Sequence, residues 1–462
     1  MNYMIETETV TPEIEMKAME YINVGYQRIL TFECASGGFN WWEGDDPGNA
    51  ILSGLVIQAL TDTREVYGSV DQAVIDRTAE WLVSVQQSDG SWTEETHLHA
   101  GNENLGAGSL RATCYIAWSL AHGGFANTQA STYIKGKIGA ESDFYTKAMC
   151  ANALAAAGDN GPALQGLLSD IDGEKIVEGD MIHWAAQGST LVNSGGNAAD
   201  VELTGLAALA FIESGAYPAN VTGAVNWLIT TKDPQGNWGY NTQATVLALK
   251  TFIGAATANP GPTAAAVSVY LNGEVLGTMD FNDFNKDVVW QVESYALTTG
   301  ENTLELSYEG YGNLSYQIVA KHHIPWDEAD LPQDGPITID VAYDKTTLQV
   351  DDQVTATVTV TANSDLVQGM VLVDLGLPPG FELMTDDLVA AKQEKLISEF
   401  ELTGKQLLLY LDSLVIDEPR VITYRLTALY PLKAQSGGSE AYAYYNAEVK
   451  DEEEPTEFEV TD

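Results

Sequence analysis

Positive charge is what this sequence has least of. Lysine and arginine together number 21 against 66 aspartates and glutamates, a formal net charge of −45. A field of that sign repels polyanions, which excludes a nucleic-acid binder or an anionic-membrane binder built on phosphate contacts. Long apolar runs are missing too. None reaches the ~18 residues needed to span a bilayer, so no membrane insertion is expected. The first residues, Met1-Asn2-Tyr3-Met4-Ile5-Glu6-Thr7, show neither the basic start nor the apolar stretch of a signal peptide. Cysteine is scarce and odd in number: Cys34, Cys114 and Cys150. With no Cys-x-x-Cys pair, they exclude a disulfide scaffold or a zinc knuckle. They read as small apolar residues in or beside helices, with a single bridge left open.

Catalytic and cofactor motifs are equally sparse. There is no Gly-x-Ser-x-Gly elbow, Walker loop or dinucleotide fingerprint, and no His-Glu-x-x-His helix among the six histidines. No cofactor, no metal and no enzymatic turnover are therefore expected. His97-Leu98-His99 could set two imidazoles on one side of an extended segment, but a surface loop explains the pair more simply. Carboxylates are so numerous that no acid–base pair stands out.

What is present falls into two textures along 462 residues, 45% of them hydrophobic. Residues 1 to about 256 read as helical. Thr11-Pro12-Glu13 supplies a hydroxyl cap, a proline whose missing N–H costs nothing and an acid at the positive end of the dipole. Ile14, Ala18, Tyr21 and Ile22 then recur at helical spacing, as do Ile51, Leu52, Leu55, Val56, Ala59 and Leu60. Further helices are predicted around 71–87, 108–121, 143–157, 161–170, 200–214, 218–231 and 242–254. The run Thr204-Gly205-Leu206-Ala207-Ala208-Leu209-Ala210-Phe211 is apolar on nearly every face, as a helix buried among other helices must be.

A repeat runs through this half. Trp81-Leu82 precedes Gly90-Ser91-Trp92, and Trp227-Leu228 precedes Gly236-Asn237-Trp238, with Gly37-Gly38-Phe39 a weaker copy. Each time a helix ends, a glycine takes the turn and an aromatic follows. Helical hairpins around an axis, an α/α toroid, fit this pattern, with an open solenoid as the alternative. The Gln86-x-x-x-Gly90-x-Trp92 spacing is similar to triterpene-cyclase repeats, but the Asp-x-Asp-Asp acid of those enzymes is missing. The glycine–tryptophan turns are therefore expected to staple helix ends.

Ala255 to Pro262 breaks the helical texture. Beyond it, Val267, Val269 and Leu271 alternate with polar residues into the hairpin signal Asn272-Gly273. Strand-like runs continue through Val288-Val289-Trp290 and Leu304-Glu305-Leu306 until a second break at Pro325–Pro332. The remainder predicts a β-sandwich of six or seven strands, at 337–343, 353–361, 368–375, 406–411, 420–429 and 440–449. A helix-like stretch at about 384–398 is inserted among them.

Several segments, in order, resemble landmarks of the α2-macroglobulin and complement-type thioester proteins. They are Val10-Thr11-Pro12-Glu13-Ile14 leading to Gly25-Tyr26-Gln27-Arg28, Tyr145-Thr146-Lys147-Ala148, Ile182-His183-Trp184, Asp200-Val201-Glu202-Leu203-Thr204 and Asn241-Thr242-Gln243-Ala244. Leu409-Tyr410-Leu411-Asp412 and Ala443-Tyr444-Tyr445-Asn446 resemble the family's terminal domain. The resemblance implies an α/α-toroid thioester-type domain at 1–256, the second half of a CUB-like β domain at 264–326 and a receptor-binding β-sandwich at 336–462. It further implies a secreted, periplasmic or cell-surface broad-spectrum endopeptidase inhibitor. Its partners would be proteases or target-surface nucleophiles, a clearance receptor and upstream macroglobulin domains of the same protein. The family's Cys-Gly-Glu-Gln thioester is not in this chain and would fall about fifteen residues before Met1. By its place before the helix at 108–121, His99 is the implied acyl-transfer residue, with His97 as its rival. Lys392 and Lys395 are the implied receptor-facing lysines. The alternatives are a toroid enzyme of the terpenoid-cyclase or polysaccharide-lyase kind, and an adhesive surface protein without a thioester.

Overall fold

The computed structural model describes residues 12–462 except 43–45, 94–108, 140–141, 189, 193, 233–236, 239–240, 259–263, 283–284, 286–289, 313, 315, 317, 319, 321–334, 365, 368, 404–405 and 445. Ten helices fill the first half: α1 (Pro12–Leu30), α2 (Ala50–Val66), α3 (Gln72–Ser84), α4 (Ser109–His122), α5 (Thr128–Lys137), α6 (Phe144–Ala156), α7 (Pro162–Gly173), α8 (Gly196–Ser214), α9 (Pro218–Thr230) and α10 (Thr242–Ala258). Their starts are written in the sequence. Asn49, Asp71, Asn127 and Asp143 cap α2, α3, α5 and α6 with side-chain oxygens, and Pro162 and Pro218 open α7 and α9. α8 stops where Gly215 turns left-handed.

Helices α2, α4, α6, α8 and α10 pack each on the next, while α3, α5, α7 and α9 pack outside the helix before them. That is an inner ring and an outer ring. Because every outer helix carries the chain back, the five inner helices enter the ring from one side. Close approach at one inner contact needs a missing side chain: a Cβ on Gly205 would come within 3.0 Å of Leu247. Adjacent inner helices are also joined covalently, since Cys114 of α4 and Cys150 of α6 form a disulfide. The single bridge that the sequence left open is therefore this one, while Cys34 is buried with its thiol directed at the Phe32 carbonyl, 3.8 Å away.

The expected staples are present and more numerous than the sequence repeat suggested. Trp92, Trp184 and Trp238, all buried, donate their indole N–H to the carbonyls of Leu82, Ile171 and Leu228, at 2.7 Å each. Each closes the helix it follows. Their backbone N–H groups in turn donate to Thr113, Thr204 and Thr245 on the next inner helix, and the Phe39 N–H donates to Ser53 in the same way. Four hairpins are thus pinned by one device: an aromatic plugs the turn and a hydroxyl on the incoming helix holds its backbone. Gly90, at φ +92° and with Gln129 carbonyl oxygen 2.5 Å from where a Cβ would sit, makes the first tryptophan turn.

The ring is not closed by packing everywhere. Among the described residues α10 and α2 meet through a side chain: Lys250 Nζ reaches Asp62 at 2.8 Å and Gln58 at 3.2 Å. The α10 surface beside that bridge carries Val246, Leu249 and Ile253, exposed by 37, 47 and 54%. With Thr242 and Ala256 they recur at steps of four and three, one continuous stripe of exposed positions along the helix.

In the second half, β3 (Ala264–Leu271), β4 (Glu274–Asn282) and β5 (Leu304–Tyr311) form an antiparallel sheet ordered β4-β3-β5, turning at Asn272-Gly273 with both φ positive. Of the strand expected at Val288-Val289-Trp290, residues 288 and 289 lie outside the described residues, and Trp290 is not in a strand. The sandwich that follows is β6 (Ile337–Tyr343), β8 (Gln353–Ala362), β10 (Phe381–Leu383) and β13 (Arg420–Ala428) against β9 (Val371–Gly376), β11 (Glu399–Leu402), β12 (Gln406–Leu411), β15 (Ser439–Ala443) and β16 (Asn446–Glu453). Along β8 every second residue, Val354 to Ala362, points inward with no exposed surface. The single strand expected at 440–449 is two, β15 and β16, because the chain turns at Tyr444. A small third sheet, β14 (Leu432–Gln435), β17 (Glu457–Thr461) and β7 (Thr347–Gln349), is paired parallel between β17 and β7. Helix α11 (Thr385–Gln393) sits where a helix was expected but is shorter, and it buries Leu388 and Ala391 in the sandwich core.

Candidate functional site

The inner-helix N-termini all open on one face of the toroid, so five positive dipole ends converge there, with Asn49, Asp143 and Asn241 capping the starts of α2, α6 and α10. In a chain of net charge −45 this is an unusual place. The described residues leading into the inner helices build it: 31–42 and 46–49 before α2, 85–93 before α4, 138–139 and 142–143 before α6, 184–188, 190–192 and 194–195 before α8, and 231–232, 237–238 and 241 before α10.

Side chains then tie these entrances together. Buried Arg111, in the first turn of α4, donates to Thr146 Oγ1 at 3.0 Å and Asp143 Oδ2 at 2.9 Å, and lies over the Tyr145 ring at 5.2 Å. Burial pushes the Asp143 carboxyl up, but the bonds from Thr146 and the charge of Arg111 outweigh it and hold it low. Glu202, on α8, is completely buried. Its carboxylate accepts from the Tyr145 hydroxyl at 2.8 Å, from Thr190 Oγ1 at 3.3 Å and from the Ser194 hydroxyl. Asn241, which caps α10, donates to Ser194 Oγ at 2.8 Å and accepts from the Ala244 N–H at 2.9 Å. Burial pushes Glu202 up to about 7 against the pull of those hydroxyls and of Arg111.

The sandwich reaches this face with aromatic rings. Trp42, in the segment before α2, meets Tyr410 of β12 edge-on at 6.1 Å, and Tyr410 meets Tyr444 at 6.4 Å. Asn446 lies beside Gly195, at the start of α8. Burial raises the Tyr410 hydroxyl to about 12 and moves Tyr444 in the same direction. Three rings and an asparagine therefore form a partial cover over the entrances of α2 and α8, with Trp42 and Tyr410 half-buried and Tyr444 exposed by 40%.

Of the residues singled out from the sequence, His97 and His99 lie outside the described residues. The residues that bound them, Trp92 and Ser109, are both on the entrance face, with Trp92 bonded to Thr113 of α4. His183 stacks on Trp227 at 4.7 Å, away from the aromatic cover. Lys392 and Lys395 do not share a helix face, which corrects the expectation of a helix running to 398. Lys392 ends α11 and pairs with Glu399 at 2.5 Å, whereas Lys395 stands past the helix in a left-handed turn at φ +59°. No group of three or more His, Cys, Asp or Glu among the described residues is arranged to hold a metal, and no described helix is long and apolar enough to cross a membrane.

The sequence reading passed over two features. In sequence Glu202 stands only within a landmark, although an acid between Val201 and Leu203, just before the apolar run 205–212, is itself a signal of a buried charge. Trp184 was not counted as a repeat copy. Its staple carbonyl lies thirteen residues back rather than ten, because the hairpin β1 (Ile176–Glu178) and β2 (Met181–His183) is inserted between them.

Comparison with known proteins places these features. Residues 1–253 match the family described as the A-macroglobulin TED domain, and residues 367–456 match the A-macroglobulin receptor binding domain. Among solved structures, native alpha-2-macroglobulin from Escherichia coli, spanning domain MG7 to the C-terminus, aligns with a TM-score of 0.67 at 17% identity, over 99% of this chain and 70% of that one. Salmonella alpha-2-macroglobulin reacted with methylamine aligns at 0.66 and 16% identity, over 98% of this chain. The native conformation of E. coli alpha-2-macroglobulin, from electron cryomicroscopy, aligns at 0.66 and 17% identity, over 99% of this chain. This chain spans 28% of each of those two longer chains. With a TED match over more than half of its length, the chain belongs to the α-macroglobulin family.

Proposed function

We propose that this chain is the covalent-capture end of a protease-trapping macroglobulin, divided into a toroid at 1–256, half of a CUB-like unit at 264–326 and a receptor-binding sandwich at 336–462. The observation that carries the reading is the aromatic cover of Trp42, Tyr410 and Tyr444 over the inner-helix entrances. A thioester hydrolyses unless water is kept from it, and an interdomain cover can be withdrawn when a partner domain moves. The cyclase alternative is disfavoured because residues 1–253 match the A-macroglobulin TED domain and the sequence lacks the Asp-x-Asp-Asp acid. The chain supplies a scaffold for one acyl transfer rather than a turnover site.

Within this reading His99, or failing it His97, acts at the entrance face. The imidazole attacks the thioester carbonyl, the thiolate leaves, and a target hydroxyl displaces the imidazole to give an ester. Convergent helix N-termini favour the departing thiolate. The Cys114–Cys150 bridge supports folding in an oxidising compartment, periplasmic, extracellular or at the cell surface. The test uses the full-length gene product cleaved by a broad-specificity protease. Conjugates of the protein with the protease that survive denaturation are expected, and their absence would overturn the reading. His99→Ala is expected to lose hydroxyl targets while keeping amine targets.

A further inference from the structure

Glu202 stands apart from every other acid described in the toroid. It is fully buried, and the partners that bond it are three hydroxyls rather than a cation. Arg111 attracts it at longer range, but the described bonds of that guanidinium go to Asp143 and Thr146. The groups facing it are Arg111 and Tyr115 from α4, Tyr145 from α6, Thr190 and Ser194 from the segment before α8, and Asn241, through Ser194, from the segment before α10. Neutral donors alone compensate a buried carboxylate poorly. The network also reaches far, because Ser194 N–H donates to Thr190 Oγ1 and Asn241 caps α10. The protonation of one side chain therefore bears on Thr190, Ser194 and Asn241, at two of the five entrances.

We propose that Glu202 is a proton-operated latch on the entrance face: carrying its proton, it holds the segments before α8 and α10 against α6, and on releasing that proton to water its buried charge makes them open more readily. In the neutral state the carboxyl donates to one hydroxyl and accepts from the others, so nothing charged is buried. In the ionised state all three hydroxyls must donate, and local opening is the way for the charge to reach water. The sign follows from the raised folded-state value. Above the ordinary glutamate range and up to about 7, the folded protein holds a proton that the unfolded chain has lost, so the stability contributed by Glu202 is full at low pH and is lost as pH rises toward 7. The inference is independent of the acyl-transfer reading, since it concerns a group present in this chain.

The test compares the protein with Glu202→Gln. The melting-temperature difference, variant minus wild type, should climb between pH 5 and pH 8, giving the variant its largest advantage at the alkaline end. Amide exchange in 186–195 and 237–241 should accelerate above pH 7 beyond the intrinsic base-catalysed rate in the wild type only. A difference that stays flat across this range overturns the proposal. If the variant does not fold, infrared spectroscopy of the wild type decides. A protonated-carboxyl band that persists near pH 6 and disappears by pH 8 supports the latch, and no such band at pH 6 overturns it. Tyr145→Phe, which removes one donor to the anion, should move that disappearance to higher pH.

Discussion

The two ends of the inner ring treat a carboxylate in opposite ways. At the entrance end, Glu202 lies in the dark among hydroxyls and is pushed up to about 7. At the other end, Asp62 near the C-terminus of α2 sits between His122 Nε2 at 2.6 Å and Lys250 Nζ at 2.8 Å, with 41% of its side chain exposed. Burial pushes Asp62 up as well, but the bond from His122 and the charge of Lys250 outweigh it and hold it below the usual carboxylate range. Both are carboxylates on inner helices, so the outcome is decided by whether the partner is a cation and whether water is near. The wet end can afford a pair that closes the ring electrostatically. The dry end is organised by hydroxyls, tryptophans and aromatic cover.

Four substitutions sharpen that contrast. The largest effect should come from Trp184→Ala, which opens a hole at a fully buried indole and frees the carbonyl of Ile171. About 3–5 kcal/mol of stability should be lost in denaturant unfolding, with Trp184→Phe keeping much of it. Next comes Cys114→Ala with Cys150→Ala, which unlinks α4 from α6 across 36 residues and should cost about 2–4 kcal/mol, a loss that reducing agent mimics in the wild type. Both changes weaken the frame that the two ends share. Trp42→Ala acts on the entrance end alone. Losing its edge-on contact with Tyr410 should cost only about 0.5–1.5 kcal/mol while exposing Tyr410 to solvent labelling. Asp62→Asn acts on the other end alone and should cost less than about 1 kcal/mol, because the pair is half in water. With its folded-state value lowered, the Asp62 contribution is present above the ordinary aspartate range and fades as pH falls through it, the reverse of Glu202.

Much of this architecture can be read from residue order, for identifiable reasons. Helix starts are local: Asn49, Asp71, Asn127 and Asp143 cap their own helices, so composition and spacing reveal them. The staples of Trp92 and Trp238 are also local, each ten residues after the carbonyl it binds. The β half was visible where strands alternate, as in β8. It was less so in the short strands β11, β14 and β17, of which β11 and β17 are acid-rich, as in Glu457-Phe458-Glu459-Val460-Thr461, and whose place is set by pairing with other segments. The disulfide was beyond sequence because Cys114 and Cys150 meet only when two inner helices lie side by side. The entrance-face network is non-local in the same way, spanning Arg111, Tyr145, Ser194, Glu202 and Asn241 across four helix starts. Lys395 shows the opposite failure, in which a helical period was extended past the residue where the backbone turns.

The central claim is that the sandwich keeps water from the entrance face of the toroid. Hydroxyl-radical footprinting of the intact chain measures it directly, with Tyr295, exposed by 95%, as the internal standard for an open ring. The account predicts that Trp42, Tyr410 and Tyr444 are labelled far more slowly than Tyr295, and that Tyr410→Ala speeds labelling of Trp42 while leaving buried Trp184 slow. Labelling of Trp42 in the wild type at a rate comparable to Tyr295 would contradict it.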